Sequence, residues 1–278
     1  YVKAPQESHA QVGDPANDAV RVDAADLRAR VIGEGANLGI TQAGRVAFAL
    51  AGGRINTDFI DNAAGVNCSD NEVNIKIALA AVQEAGALSE DQRRALLKDM
   101  TAEVGELVLE DNRLQALALS IAERDGPATA PALARVIELL EEAGGLDRRT
   151  EGLPDSETIA RRAAEGQGLT RPELAVVLSS AKLALQDALE QGDLAADPAA
   201  EELLLRDFPQ ALARAFPDAL RGHRLRHQIV ATIVANRLVN RMGIIHPFEL
   251  AEEEGAGLAD IGCAFVTASA TLRLDALW

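Results

Sequence analysis

Near Gly86 the sequence changes character, and that change limits what the chain can fold into. Residues 1–87 carry Gly, Asn and β-branched residues in short runs, whereas residues 88–278 are rich in Ala, Leu, Glu and Arg at helical spacing. Two regions are expected, an α/β one at 1–87 and a helical one at 88–278, in a fold that is mixed but mostly α. In the first, residues 19–22 and 29–33 read as short buried strands, 41–50 as a helix, 56–60 as another strand and 69–84 as a longer helix. Such alternation suggests a parallel sheet. The 69–84 helix would bury Val73, Ile77, Ala80 and Ala81, with Ser69 as N-cap and Glu72 completing a capping box.

The second region predicts helices at 89–110, 113–125, 131–143, 156–165, 171–191, 223–241, 247–254 and 258–274. Thr170-Arg171-Pro172-Glu173 is a start signal: Thr caps, Pro is tolerated in the first turn and Glu173 completes the box. No fixed-period repeat is evident, so an irregular helical bundle is preferred to a solenoid. Aromatic residues are only 3% of the chain, so its core must be built mostly from Ala, Leu, Ile and Val.

Composition excludes several function classes. With 48% hydrophobic and 25% charged residues the chain is neither disordered nor collagen-like. No apolar run reaches the roughly 18 residues that span a bilayer, and no signal segment opens the sequence, so a cytoplasmic protein with no membrane partner is expected. Cys68 and Cys263 make neither a disulfide framework nor a metal site, and each is expected as a buried thiol. A formal net charge of -16 opposes a nucleic-acid partner. The stretch 221–241, with five arginines, two histidines and no acid, is the local exception. Its arginines are expected to pair with acidic groups of the same or a neighbouring subunit, because Arg237 and Arg241 at i, i+4 would otherwise repel.

The strongest local signal is Gly33-Glu34-Gly35-Ala36-Asn37-Leu38-Gly39, where a strand enters a glycine turn that opens a helix. Such a turn presents backbone N–H groups to a ligand. It is not the dinucleotide fingerprint: Gly33, Gly35 and Gly39 give G-x-G-x-x-x-G, one residue too long, so Asp58 is not read as its ribose acid. A second amide-rich stretch, from Asp61 to Glu72, follows the strand predicted at 56–60. Each cluster taken alone reads as a structural turn, yet both fall at the carboxyl ends of predicted strands, where open α/β sheets bind ligands.

At these residues the sequence resembles the large, multidomain bacterial NAD-specific glutamate dehydrogenases. The family carries an E-G-A-N turn late in its NAD-binding domain, here Glu34-Gly35-Ala36-Asn37, and then N-x-G-G-V-x-x-S-x-x-E, here the run from Asn62 to Glu72 with Ala64 in place of a glycine. An ordinary φ is expected at Ala64. The resemblance implies that residues 1–87 are the C-terminal part of a Rossmann-like NAD-binding catalytic domain and 88–278 a helical C-terminal domain. It implies NAD as cofactor, with Gly35, Ala36, Asn37 and Asn62 at the nicotinamide end. L-glutamate and 2-oxoglutarate would be the substrate pair, Ser69 holding the side-chain carboxylate and Val66 lining its pocket.

The family's chemistry also needs lysines and an aspartate on a separate substrate domain. Only Lys3, Lys76, Lys98 and Lys182 occur, none in a glycine-rich setting. The chain is therefore expected to be a C-terminal fragment with no catalytic residue and no metal site of its own, completed by the remainder of the same polypeptide and assembled as a homo-oligomer. A noncatalytic helical assembly module is the competing reading, supported by the mass of helix after residue 88.

Overall fold

The computed structural model describes every residue except Ala36, Asp193 and Trp278. The chain is mostly helical. Among the described residues the strands are β1 (Val2–Lys3), β2 (Val22–Asp23), β3 (Val31–Ile32) and β4 (Arg54–Ile55). Its helices are α1 (His9–Val12), α2 (Gln42–Leu50), α3 (Asp58–Asp61), α4 (Ala63–Glu84), α5 (Glu90–Asp125), α6 (Ala130–Glu142), α7 (Ser156–Ala164), α8 (Arg171–Glu190), α9 (Pro198–Asp207), α10 (Gln210–Ala215), α11 (Pro217–Arg221), α12 (Arg226–Met242), α13 (His246–Glu254) and α14 (Leu258–Leu272).

The chain divides into two compact units, the first formed by residues 1–63 and 116–181 and the second by 64–115 and 182–278. In the first unit the expected parallel pairing is present but minimal, with β1 beside β2 and β3 beside β4 in two two-stranded sheets. Val2, Ala24, Ile40, Phe48 and Ile55 pack as the core of this part. Thr41 caps α2 by accepting the Gly44 N–H at 3.0 Å. A Cβ on Gly44 would lie 3.1 Å from the Lys3 carbonyl carbon, so a larger residue there would push α2 and β1 apart by a few tenths of an ångström. Further along the same unit, α6 packs on α7 through Leu133, Val136, Ile137 and Ile159.

The expected strands are shorter and less buried than the sequence suggests. Pro15–Val20 is a 3₁₀ turn, because proline opens it and leaves only Val22–Asp23 to pair. Val22 and Val31 are exposed. Residues 56–60 are not a strand: pairing stops at Ile55, and Asp58–Asp61 turns into helix after Thr57.

In the second unit α12 packs on α9 and α14, and α13 on α14; Leu204, Val234, Leu238, Phe248, Phe265 and Val266 are buried on these helices. The helix expected at 69–84 begins six residues earlier, at Ala63, and ends where Gly86 adopts φ +72° and its N–H returns to the Gln83 carbonyl. Ser69 is thus inside α4 and not its cap, and Glu72 pairs with Lys76 and completes no box. The buried face is Ile75, Ala78, Leu79 and Val82, whereas Val73 is exposed. Ala64 is helical, with no positive φ.

The helices expected at 89–110 and 113–125 are one helix of 36 residues. Asn112, a potential breaker, instead donates to the Val108 carbonyl at 2.7 Å, and Arg113 grips Glu110 with two bonds of 2.6 Å, so the polar stretch supports the helix it is expected to end. Three short helices, α9 to α11, carry no periodic signal; Pro198 and Pro217 occupy first-turn positions in two of them. Cys68 and Cys263 are free and exposed, contrary to expectation: Cys68 lies in the first half of α4, where no residue is buried, and Cys263 lies off the buried Ile261, Phe265 and Val266 face of α14. Among the described residues no single helix is long and apolar enough to cross a membrane; α13 and α14 together are apolar but meet at a bend of 110°.

Candidate functional site

The glycine turn after β3 is held by buried charge. Glu34, only 5% exposed, receives Arg45 side-on, with Nε donating to Oε1 at 2.8 Å and Nη2 to Oε2 at 2.7 Å. The same Nη2 lies 3.0 Å from Asp58 Oδ1. Such planar, two-pronged geometry is what guanidinium offers and ammonium does not. Burial opposes the charge on Arg45, but the bonds and charge of Glu34, followed by those of Asp58, outweigh it and raise its pKa above the ordinary value. The motifs of the sequence do not point to Arg45, although a signal exists: α2 reads Gln-Ala-Gly-Arg-Val-Ala-Phe-Ala-Leu, and a lone charge in an apolar helix implies a buried partner.

Asp58 and Asp61 complete the clamp from the start and end of α3. Asp58 Oδ2 accepts the Leu38 N–H at 2.9 Å, holding Leu38 in a left-handed conformation at φ +59° that costs an ordinary residue about 1 kcal/mol. Asp61 Oδ2 accepts the Glu34 N–H at 2.8 Å. Asp58 is buried and committed to these contacts, so it is no ribose acid. The turn is shaped by carboxylates behind it.

In front of the clamp stand the amides. Asn37 is exposed, and Asn62, half-buried at the end of α3, donates through Nδ2 to Asn37 Oδ1. The structure thus joins two of the predicted cofactor residues, one from each amide-rich stretch, in the segments that follow the adjacent parallel strands β3 and β4. Gly35 is open: a Cβ placed on it would meet nothing within 4 Å, so ligand atoms can approach its backbone. Ala36 lies outside the described residues.

The predicted substrate residues lie on α4. Val66 is 61% exposed and Ser69 is exposed, its hydroxyl donating to the Gly65 carbonyl at 3.1 Å. This bond one turn back satisfies the hydroxyl without capping the helix. Its two lone pairs remain available to a ligand donor, and the hydroxyl can rotate to an anion.

Three of the four lysines have other partners. Lys3 is buried against Asp23, and Lys76 pairs with Glu72 on the surface. Lys182 donates to Gln115 at 2.9 Å; burial lowers its pKa to about 8, against the opposing charge of Asp111. Among the described residues no three His, Cys, Asp or Glu side chains are grouped to hold a metal.

Residues 1–122 match the family described as bacterial NAD-glutamate dehydrogenase, catalytic domain, and residues 166–278 match glutamate dehydrogenase, C-terminal. The chain is 48% identical over 278 residues to the NAD-specific glutamate dehydrogenase of Halomonas elongata, covering all of this chain and 17% of that protein. It is 50% identical over 270 residues to that of Pseudomonas aeruginosa, covering 96% of this chain and 16% of the relative. Against that of Mycobacterium tuberculosis it is 44% identical over 278 residues, again all of this chain and 17% of the relative. The chain therefore spans about one sixth of the length of the curated relatives it matches. Identity of this order along its whole length, with catalytic-domain and C-terminal-domain matches in the same order as the motifs, makes this chain similar throughout to one region of the bacterial NAD-specific glutamate dehydrogenases.

Proposed function

We propose that the chain is part of a larger NAD-dependent glutamate dehydrogenase, which converts L-glutamate to 2-oxoglutarate and ammonium, and that it supplies the nicotinamide end of the cofactor site. The observation that carries this reading is the Asn37–Asn62 amide pair, held at the strand ends by the Glu34–Arg45–Asp58 clamp. Carboxamides donate and accept, so the pair can exchange its mutual bond for bonds to a ribose hydroxyl or to another carboxamide. That donor set fits the nicotinamide end of NAD, and Gly35 leaves its backbone accessible. NAD, when bound, supplies the hydride acceptor; Asn37, Asn62, Gly35 and Ala36 orient it. The phosphates and the proton acceptor belong, in this reading, to the remainder of the polypeptide, and the 278 residues alone are inactive.

In the same reading Ser69 binds the side-chain carboxylate of glutamate and Val66 lines its pocket. Residues 1–87 close a Rossmann-like domain and 88–278 serve assembly or regulation of a cytoplasmic homo-oligomer. The parallel pairs β1–β2 and β3–β4 support the first of these assignments.

Kinetics of the whole enzyme test the reading. Losing a hydrogen bond to a charged group costs about 1.5–3 kcal/mol, so Ser69→Ala should lower kcat/KM for glutamate roughly 10- to 150-fold while NAD affinity barely moves. Because Ser69 is exposed inside α4, where Ala is the better helix former, the thermal midpoint should stay where it is. Asn37→Ala should do the reverse, weakening NAD with little change in the glutamate KM. Unchanged glutamate kinetics in Ser69→Ala would remove Ser69 from the site, and unchanged NAD affinity in Asn37→Ala would remove the nicotinamide assignment.

A further inference from the structure

The amide turn is tied to the first turn of α8, a segment that lies 115 residues beyond Asn56 in sequence. That first turn is itself rigid. Glu173, 1% exposed, accepts both the backbone N–H and the hydroxyl of Thr170 at 2.7 Å, and Arg162 Nη1 contacts its two oxygens at 2.8 and 3.0 Å. From this anchored turn two chains of hydrogen bonds lead to one residue, Glu34.

In the first chain Arg171 Nε donates to Asn56 Oδ1, Asn56 Nδ2 donates to Asp61 Oδ1 at 2.6 Å, and Asp61 Oδ2 accepts the Glu34 backbone N–H at 2.8 Å. In the second, the Pro172 carbonyl accepts from Gln42 Nε2 at 3.2 Å, Gln42 Oε1 accepts from Arg45 Nη1 at 3.4 Å, and Arg45 grips the Glu34 carboxylate. One chain fixes the main chain of Glu34 and the other its side chain. The remaining Arg171 donors go to α5, reaching Ser120 Oγ at 3.0 Å, Glu123 Oε2 at 3.2 Å and the Ala116 carbonyl at 3.1 Å. A single guanidinium thus joins α5, α8 and the loop after β4.

This double hold matters because Glu34 stands between two glycines. A Cβ at Gly35 would meet nothing within 4 Å, and one at Gly33 would meet only Asp61, at 3.9 Å. Neither glycine restrains the turn by packing, and both are conformationally permissive. What orders the turn must act on Glu34 and on Leu38.

We propose that the first turn of α8 positions the amide turn, with Arg171 and Gln42 as positioning residues through which the order of α5 and α8 sets affinity at Asn37. The proposal rests on the nicotinamide reading of Asn37 and Asn62. It gives the C-terminal matched region a direct mechanical part in cofactor binding, because Arg171 and Pro172 fall inside that region and Glu34 inside the catalytic one.

The test uses the whole enzyme and NAD itself, with NAD dissociation constant, both Michaelis constants and thermal midpoint measured for each variant. Arg171→Ala should raise the NAD dissociation constant on the order of tenfold, within the usual range of site-to-site coupling, and leave the glutamate KM near its original value. Arg171→Lys should keep the charge and recover the thermal midpoint but not the NAD affinity, because an ammonium cannot reach Asn56 and three acceptors on α5 together. Arg171→Ala combined with Asn37→Ala should be less than the product of the single effects. Should Arg171→Ala fail to fold, Gln42→Ala carries the test, since it cuts the second chain without touching α5; a roughly threefold weakening of NAD is expected, near the low end of what a residue along a coupling network contributes. If Asn37→Ala weakens NAD while Arg171→Ala or Gln42→Ala lowers only the thermal midpoint, the positioning role is overturned and the nicotinamide reading stands. If Asn37→Ala leaves NAD affinity unchanged, it is the nicotinamide reading that fails.

Discussion

The two units solve the problem of charge in opposite ways. Among the described residues, the buried polar side chains Lys3, Glu34, Arg45, Thr57, Asp58 and Glu173 all lie in the first unit, and only His223 lies in the second. His223 is satisfied as a neutral ring, close to the Asn74 carbonyl through Nε2 at 3.1 Å and accepting the Leu225 N–H through Nδ1 at 3.1 Å. Burial lowers its pKa, which keeps it neutral. Elsewhere the second unit seals its interior mostly with leucine, isoleucine, valine and alanine, joined by Met100, Phe208, Phe248 and Phe265, and keeps ion pairs such as Arg113–Glu110 and Arg206–Glu202 on helix surfaces. Strands of two residues cannot by themselves hold loops in place. The first unit uses carboxylates and guanidinium groups for that purpose, and it accepts the desolvation cost where a functional turn has to be fixed.

If that comparison is right, the largest effect anywhere in the chain should follow removal of Arg45. Arg45→Met preserves the aliphatic stem but leaves Glu34 and Asp58 buried at 5% and 7% exposure without their shared cation. Breaking a buried pair in this way costs about 3–5 kcal/mol. Urea unfolding should register that loss at neutral pH. A change below about 1 kcal/mol, the scale of exposed ion pairs, would mean that the cluster is no more than solvated surface charge and would erase the distinction between the units.

The same contrast explains what can be read from the sequence. Long amphipathic helices announce themselves, so α6, α7, α8, α13 and α14 lie where periodicity puts them, and Glu173 accepts the Thr170 N–H as a capping box requires, although the Thr170 hydroxyl donates to Glu173 and does not cap. The Glu34 and Asn62 stretches stand out for their amide and glycine content, and they do adjoin. What periodicity does not report is contact across sequence. Arg45, Asp61 and Arg171 act on a turn 11, 27 and more than 130 residues away from them, and no local pattern encodes such pairing. The position of Ser69 departs from expectation for a related reason. A serine followed three residues later by glutamate fits a cap, but the same serine can bond one turn back, and the helical run from Ala63 decides between them.

A smaller effect is expected inside the second unit, where Asp111, Lys182 and Asp207 depart from its pattern and Asp207 departs furthest. Burial, and then the charge of Asp111, push the Asp207 carboxyl up to about 7, against the pull of Arg237. A carboxyl whose folded pKa exceeds its unfolded one binds more protons folded than unfolded, so its contribution to stability falls as pH rises from about 4 to about 7 and is constant above. Asp207→Asn, which mimics the protonated form, should gain on the parent by up to about 3 kcal/mol between pH 5 and pH 8, at about 1.4 kcal/mol per pH unit. Comparing variant with parent at each pH cancels the opposing contribution of His223. A flat difference across this range would show that Asp207 ionises like a surface acid.

The smallest effect should come from Arg237, on the helix whose basic stretch stands out in the sequence. Its guanidinium, 28% exposed, pairs with Asp275, and Arg206 reaches the same acid at 3.1 Å. Three consequences of Arg237→Gln oppose one another. The Asp275 pair is lost, worth no more than about 1 kcal/mol at this exposure. Arg241, whose pKa is lowered by burial and then by Arg237, is relieved of a like charge one turn away. Asp207 loses a cation that favours its ionised form, which matters only where that form is populated. At pH 5 the third consequence vanishes and the first two nearly cancel, so the denaturation midpoint should scarcely move, and added salt should change it little. At pH 8 the variant should be measurably weaker, and introducing Asp207→Asn as well should abolish that weakness. A loss at pH 5 as large as that expected for Arg45→Met would place a structural ion pair in the second unit and break the comparison from its other side.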